Sequence, residues 1–135
     1  MCETIPELLI NIDENNFNEK LMVEKWSKKE IIGYLIDSAT NNHQRFVRCQ
    51  FEDKPQIIYD QNNWNNYNFY HQIDSIQIID FWTIYNKQLL ELRRRIPNEN
   101  LQRECFAEEK SLSLEFLIHD YVEYLDHHLK QVISI

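Results

Sequence analysis

Apolar residues recur every three or four positions along three long segments of the chain, the pattern of helices that bury one face. In the first segment these positions are Ile32, Leu35, Ala39, Phe46 and Cys49. In the second they are Ile78, Trp82, Tyr85, Leu89, Leu92 and Ile96, and in the third Leu114, Ile118, Tyr121, Leu125, His128 and Val132. Each segment is therefore predicted to be a long helix that packs in a bundle.

The predicted ends of these helices carry recognisable capping residues. Ser27 followed by Glu30 forms a capping box, in which each side chain bonds the backbone N–H of the other residue. Asp74 is the predicted start of the second long helix, and Ser113 lies near the start of the third. Pro97 ends the second long helix because proline cannot continue it.

A short helix and a long connection complete the predicted architecture. Residues 4–12 form the short helix, which begins at Thr4, and residues 51–72 form an aromatic, Asn-rich crossover that we expect to pack over the bundle. The prediction is an all-α four-helix bundle in one domain, residues 1–135, with a short first helix and a long crossover between helices two and three. Because the short helix covers only part of its groove, we expect a second subunit to cover the exposed apolar surface in a homodimer.

Composition and charge narrow the choice of partners and compartment. The net charge is −8, from 22 acidic and 14 basic residues, so a nucleic-acid partner is disfavoured. The three cysteines are not closely spaced, which fits free thiols in a reducing compartment, and Cys49 and Cys105 lack any activating neighbour. The N-terminus is acidic and no apolar run approaches the ~18 residues of a membrane span. We expect a cytoplasmic protein without membrane contact, and the Asn, Ile, Lys and Gln content favours a bacterial source.

Four motifs follow one another between residues 26 and 135: WSKKEIIGYLIDSATNNHQRF, YDQNNW, FWTIYNKQ and DYVEYLDHHLKQ. The ordered set resembles the DinB-like (DinB/YfiT-like) superfamily of metal-dependent bundle enzymes. The resemblance implies a metal bound by three histidines, one from helix two and an i,i+4 pair from helix four, with an open position for water or substrate. In several relatives such a metal is thought to activate a low-molecular-weight thiol for transfer.

The resemblance places the three ligand positions at Tyr34, Tyr124 and His128, so only one of them is a histidine. A phenol has a pKa near 10 and is a poor ligand for zinc or nickel while it is neutral, although Fe(III) accepts a phenolate. The neighbouring histidines at 43, 119 and 127 are rotated away from these positions on their helices. We therefore expect a degenerate site without a cofactor; the alternative is a divalent metal (Ni, Zn or Fe) held by altered ligands.

The same three side chains are expected to form a hydrogen-bonded cluster in the space that a metal would occupy. A small pocket for a small-molecule ligand would be lined by Tyr34, Ser38, Asn41, Arg45, Tyr121, Tyr124 and His128. For Arg45 and Asp60 we favour a structural role, in which the arginine bonds the crossover backbone near Tyr59 and Asp60.

Two classes of function follow from the sequence. The first is a bundle protein of unassigned activity that has lost the metal site and acts as a binding or structural module. The second is an enzyme, either a metal-dependent thiol S-transferase or hydrolase with altered ligands, or a metal-free acid–base catalyst. The sequence does not identify a substrate or a thiol.

Overall fold

Four helices form the bundle, and each predicted long helix is present. The computed structural model describes residues 5–12, 14, 26–107 and 109–133. The bundle helices are α1 (Ile5–Ile10), α2 (Lys28–Arg48), α4 (Ser75–Arg95) and α5 (Leu114–Ile133). Both α1 and α2 pack against α4 and α5. The predicted all-α four-helix bundle, with its short first helix and long crossover, is confirmed; the predicted cap Thr4 lies outside the described residues.

Helix α2 begins at the predicted capping box. The backbone N–H of Glu30 donates to Ser27 Oγ at 3.1 Å, and the backbone N–H of Ser27 donates to Glu30 Oε1 at 3.0 Å. Both bonds are buried, so they satisfy two N–H groups that otherwise have no partner within the helix. Asp74 caps α4 in the simpler way, because its side chain accepts from the N–H of Gln77 at 3.2 Å.

The predicted apolar seams meet in one core. Trp82 of α4 is fully buried at its centre, and Ile32 and Leu35 of α2 and Leu114 of α5 are equally inaccessible. Burying a side chain of this size stabilises the fold by roughly 1.5–3 kcal/mol. No helix in the described ranges is both long enough and apolar enough to cross a membrane.

The connection before α5 contains a small hairpin that the sequence pattern does not predict. Strands β1 (Glu104–Ala107) and β2 (Lys110–Ser113) are antiparallel, with Cys105 opposite Leu112. The backbone N–H of Phe106 donates to the carbonyl of Pro55 at 2.9 Å, so the hairpin also holds the beginning of the crossover. The sequence pattern gives no sign of these strands, which are held partly by a contact with Pro55, far away in the sequence.

The crossover lies on α2, as predicted. It contains α3 (Gln61–Tyr67) and a 3-10 turn (Tyr70–Gln72). Arg45 of α2 binds its beginning, since Nε and Nη2 both donate to the carbonyl of Ile57, at 3.1 and 2.7 Å. Asn65 binds its middle by donating to the carbonyl of Glu30 at 2.8 Å, a buried contact. The crossover is thus fixed to α2 by hydrogen bonds that water does not reach freely.

Candidate functional site

The three positions that the family resemblance singles out are in mutual contact. Tyr34 projects from α2, and Tyr124 and His128 project from the same face of α5, one turn apart. The ring centroids of Tyr34 and His128 are 5.1 Å apart, those of Tyr124 and His128 are 4.5 Å apart, and those of the two tyrosines are 6.0 Å apart. All three pairs meet edge to face, a favourable arrangement for aromatic rings.

The two tyrosines are joined through their hydroxyls. Tyr34 Oη donates to Tyr124 Oη at 2.7 Å. Their surroundings differ: Tyr34 is 4% exposed, whereas Tyr124 is 42% exposed. Burial, reinforced by the hydrogen bond, raises the pKa of Tyr34 above the ordinary value of 10. The Tyr34 phenol is therefore neutral at any physiological pH, and the pair leads from the interior to the surface of the bundle.

His128 supplies an imidazole beside this pair. Its Nε2 is buried and has no hydrogen-bond partner among the described residues. Burial lowers the pKa of His128 below its usual 6.5, because a charged ring is poorly solvated there. The ring is neutral at pH 7, and a neutral imidazole is able to accept a proton.

This donor set does not fit the three-histidine metal site of the DinB-like enzymes. It offers one imidazole nitrogen and two phenols that are hydrogen-bonded to each other. Within the described ranges no group of three or more His, Cys, Asp or Glu side chains is arranged to hold a metal ion. His43 does not replace the missing ligands, since its Nδ1 lies 2.9 Å from Tyr85 Oη on α4. Three strong donors are the usual minimum for a catalytic zinc site.

Three other predicted pocket residues, Ser38, Asn41 and Tyr121, are also buried. Ser38 and Asn41 are buried in α2, and the side chain of Asn42 donates to the carbonyl of Ser38 at 2.8 Å. Tyr121 donates to Asn86 Oδ1 at 2.7 Å and so ties α5 to α4.

The structural roles predicted for Arg45 and Asp60 are both present, with different partners. Arg45 bonds the crossover backbone at the carbonyl of Ile57. Asp60 caps α3 by accepting from the backbone N–H of Asn63 at 3.1 Å.

Cys49 and Cys105, predicted to be inert, are fully buried. Burial raises the pKa of Cys49 to about 11 and also raises that of Cys105. A neutral, inaccessible thiol is a poor nucleophile, so neither cysteine adds reactivity to the site.

Sequence reasoning missed the residue one turn beyond Tyr34. Asp37 is 1% exposed, and its Oδ1 accepts from Tyr70 Oη at 2.5 Å and from Asn68 Nδ2 at 3.0 Å. Burial raises the pKa of Asp37 to about 6. Burial also raises the pKa of Tyr59 in the crossover, and the nearby Asp37 carboxyl raises it further. Nothing local in the sequence indicates this arrangement, because Tyr70 lies 33 positions after Asp37.

Comparison with known proteins defines the class of fold. No family model and no curated protein sequence matches the chain. The structure is similar to that of YfiT from Bacillus subtilis, described as a probable metal-dependent hydrolase with an unusual four-helix bundle topology. The TM-score is 0.85 at 19% identity, over 98% of this chain and 79% of YfiT. The chain therefore has the YfiT-like four-helix-bundle fold that its motifs predict.

A second solved structure agrees with this assignment. It is the mycothiol-dependent maleylpyruvate isomerase, with a TM-score of 0.72 and 13% identity over 93% of this chain. The match spans 53% of the isomerase, about half its length. At these identities both likenesses establish the fold, and the chemistry has to be argued from the residues of this chain.

Proposed function

We propose that this protein is a DinB-like bundle that works without a bound metal, as a binding or structural module. The observation that carries the proposal is the 2.7 Å hydrogen bond between the hydroxyls of Tyr34 and Tyr124. Two groups that would have to bind a metal bind each other instead. The bond satisfies the buried Tyr34 hydroxyl, which would otherwise lack a partner in the interior.

The acidity of the phenols supports the same proposal. A tyrosine binds a metal well only as a phenolate, and burial moves the pKa of Tyr34 away from that form. The remaining donor, His128, supplies one nitrogen, and a single imidazole holds a divalent ion weakly. A hydrogen-bonded cluster of neutral groups needs no metal to be stable.

Metal analysis of the protein, purified without an affinity tag, tests this proposal directly. We expect nickel, zinc and iron far below one ion per chain. Stoichiometric metal would contradict the proposal and favour an enzyme with altered ligands. Iron bound through a phenolate would also colour the protein, since that bond absorbs visible light.

Histidine introduced at positions 34 and 124 tests whether these positions correspond to the metal site. The double substitution Tyr34→His and Tyr124→His would give three imidazoles where the three side chains now touch. We expect this variant to bind zinc or nickel, and each single variant to bind much more weakly because it has only two imidazoles. If the folded double variant binds no better than the wild type, residues 34, 124 and 128 are not the equivalent of the metal site.

One observation favours a second candidate function, metal-free acid–base catalysis. The neutral His128 ring has an unpaired Nε2 and lies against two phenols, one of them partly exposed. A neutral imidazole beside a phenol can act as a general base when a water or a substrate joins the two. A screen with ester, amide and thiol-transfer substrates would test it, with His128→Gln as the matched variant. Turnover that survives chelators and is lost in His128→Gln would favour catalysis over a binding role.

The homodimer stays a prediction. Apolar side chains lie exposed on two neighbouring helices, Leu8 and Ile10 on α1 and Phe81 and Ile84 on α4. Exposed apolar surface of this kind is typical of subunit contacts. Sedimentation equilibrium would decide: we expect twice the 16.6 kDa chain mass, and a monomer at all concentrations would refute the prediction.

A further inference from the structure

A buried carboxyl group of α2 binds the end of the crossover, beyond the contact of Asn65 with the Glu30 carbonyl. We name residues 59–72 the covering segment. Its residues Asn68 and Tyr70 both donate to the same atom, Asp37 Oδ1, at 3.0 and 2.5 Å. The Tyr70 ring also lies flat against the backbone of Gly33, one turn earlier on α2. The end of the covering segment, at Asn68 and Tyr70, is therefore held by Asp37, whereas Asn65 holds its middle.

The other oxygen of this carboxyl is unsatisfied. Asp37 Oδ2 is buried and has no hydrogen-bond partner among the described residues. A buried carboxylate with a bare oxygen is unfavourable, whereas a carboxylic acid with its proton on Oδ2 carries no charge. Protonation there leaves Oδ1 free to accept both bonds from the covering segment.

We propose that Asp37 is a proton-controlled latch, which holds the covering segment on α2 while it is protonated and releases it when it ionises. Released residues would give Asp37 access to water, which solvates the charge that the closed state leaves buried. Since burial raises the pKa of Asp37 to about 6, the change falls just below neutral pH. The covering segment is therefore bound to α2 in acid and is bound less firmly at pH 7 and above.

Release would change access to the tyrosine cluster. Tyr59 belongs to the covering segment, and its nearness to Tyr34 contributes to the raised pKa of that tyrosine. Tyr59 lies between two other contacts, Arg45 with Ile57 and Asn65 with Glu30, so release would have to extend past Asn65 to move it. This inference does not depend on the proposed function, because it concerns access to the cluster whether the cluster binds, catalyses or only packs.

Asp37 is the source of the expected pH dependence, because the phenols and the arginine around it do not change protonation between pH 5 and pH 7.5. Tyr70 and Tyr59 face it from the covering segment, Tyr34 precedes it on α2, and phenols remain neutral below pH 8. The nearby cation is Arg45, which acts on Tyr59 and does not titrate in this range. His71 is the competing group in the segment; its side chain is exposed, and its carbonyl accepts from Lys29 Nζ at 3.5 Å.

Hydrogen exchange of the covering segment at pH 5 and pH 7.5 tests the latch. The intrinsic exchange rate of each amide at each pH, divided by its measured rate, gives the protection factor. We expect protection of residues 61–72 to fall roughly ten-fold between these pH values, as linkage predicts for a carboxyl whose pKa is about 6 when closed and 3.8 when open. Equal protection at both pH values would overturn the proposal.

Three variants test whether Asp37 or another group causes the pH dependence of protection. Asp37→Asn keeps an acceptor for Tyr70 and Asn68 without a charge, so protection should be high at both pH values. His71→Gln should retain the full pH dependence, and so should Asp80→Asn on the exposed surface of α4. A wild-type loss of protection that persists in Asp37→Asn, or that disappears in His71→Gln, would overturn the proposal.

A measurement on the unchanged protein covers the case in which Asp37→Asn does not fold. The side-chain carboxyl carbon of Asp37, followed by NMR between pH 3 and pH 8, reports its protonation directly. We expect a midpoint well above the ordinary 3.8, because burial raises the pKa of Asp37. A midpoint at or below 4 in the wild type would refute the latch.

Discussion

The ring of Tyr70 occupies the space beside Gly33 in which any other residue would place its Cβ atom. We therefore predict that Gly33→Ala destabilises the protein. Alanine favours a helix over glycine by about 1 kcal/mol, but forcing the ring out of its place costs roughly 1–3 kcal/mol and also strains the Tyr70–Asp37 bond. The net loss should appear in urea denaturation as a lower midpoint with an unchanged slope.

Gln44→Ala is the matched control for this prediction. Gln44 lies on the exposed side of the same helix, so its replacement should change the free energy of unfolding by no more than about 0.5 kcal/mol. A Gly33→Ala variant as stable as the wild type would show that Tyr70 does not need this close approach.

Replacing the two hydroxyls of the tyrosine pair should have unequal effects. Tyr124→Phe leaves the buried Tyr34 hydroxyl without its partner, which we expect to cost about 1–3 kcal/mol. Tyr34→Phe leaves the hydroxyl of the 42% exposed Tyr124, which water reaches, so the loss should be nearer 0.5–1 kcal/mol. Urea denaturation of both variants and the double variant gives the coupling energy. Purely additive losses would show that the bond contributes nothing, and equal single losses would contradict the expected difference in burial between the two hydroxyls.

The imidazole of His128 should titrate below the usual pKa of 6.5, since burial disfavours its charged form. The unfolded chain then binds a proton more readily than the folded chain. The contribution of His128 to stability is therefore complete above pH 6.5 and is lost as the pH falls through its lowered pKa. Ring-proton NMR of the native protein would show the lowered pKa. A titration of His128 at or above 6.5 would contradict the prediction.

Arg45→Lys should loosen the beginning of the crossover. A guanidinium reaches the Ile57 carbonyl with two nitrogens at once, and an ammonium does not reproduce this planar fork. We expect a loss of about 1 kcal/mol in the free energy of unfolding although the charge is kept. Arg94→Lys, in an exposed pair with Glu91, is the matched control and should be nearly neutral. A larger effect at Arg94 would refute the role assigned to Arg45.

The parts of the structure that sequence predicts are those with local causes. The Ser27–Glu30 box and the break at Pro97 act within a single turn, and the structure has both. The meeting of Tyr34 with Tyr124 and His128 follows from an i,i+4 pair and a facing helix, which the family resemblance identified.

The parts that sequence does not predict depend on distant contacts. From the sequence alone, Gly33 is a residue that destabilises the helix. The structure gives the reason for glycine at this position, because the Tyr70 ring occupies the space that a Cβ atom would need. Asp37 looks like an ordinary polar position on α2 until the crossover brings Asn68 and Tyr70 to it. Strand β1 has its register set partly by Pro55, about 50 residues earlier.

The shared hydroxyl bond of Tyr34 and Tyr124 has a consequence for how such a chain can evolve. Substituting one tyrosine by histidine removes the bond while supplying only two of three metal-binding imidazoles. The intermediate therefore loses the advantage of the tyrosine pair before it acquires that of a metal. Any route between the two arrangements by single substitutions therefore passes through a chain that has neither the hydroxyl bond nor three imidazoles.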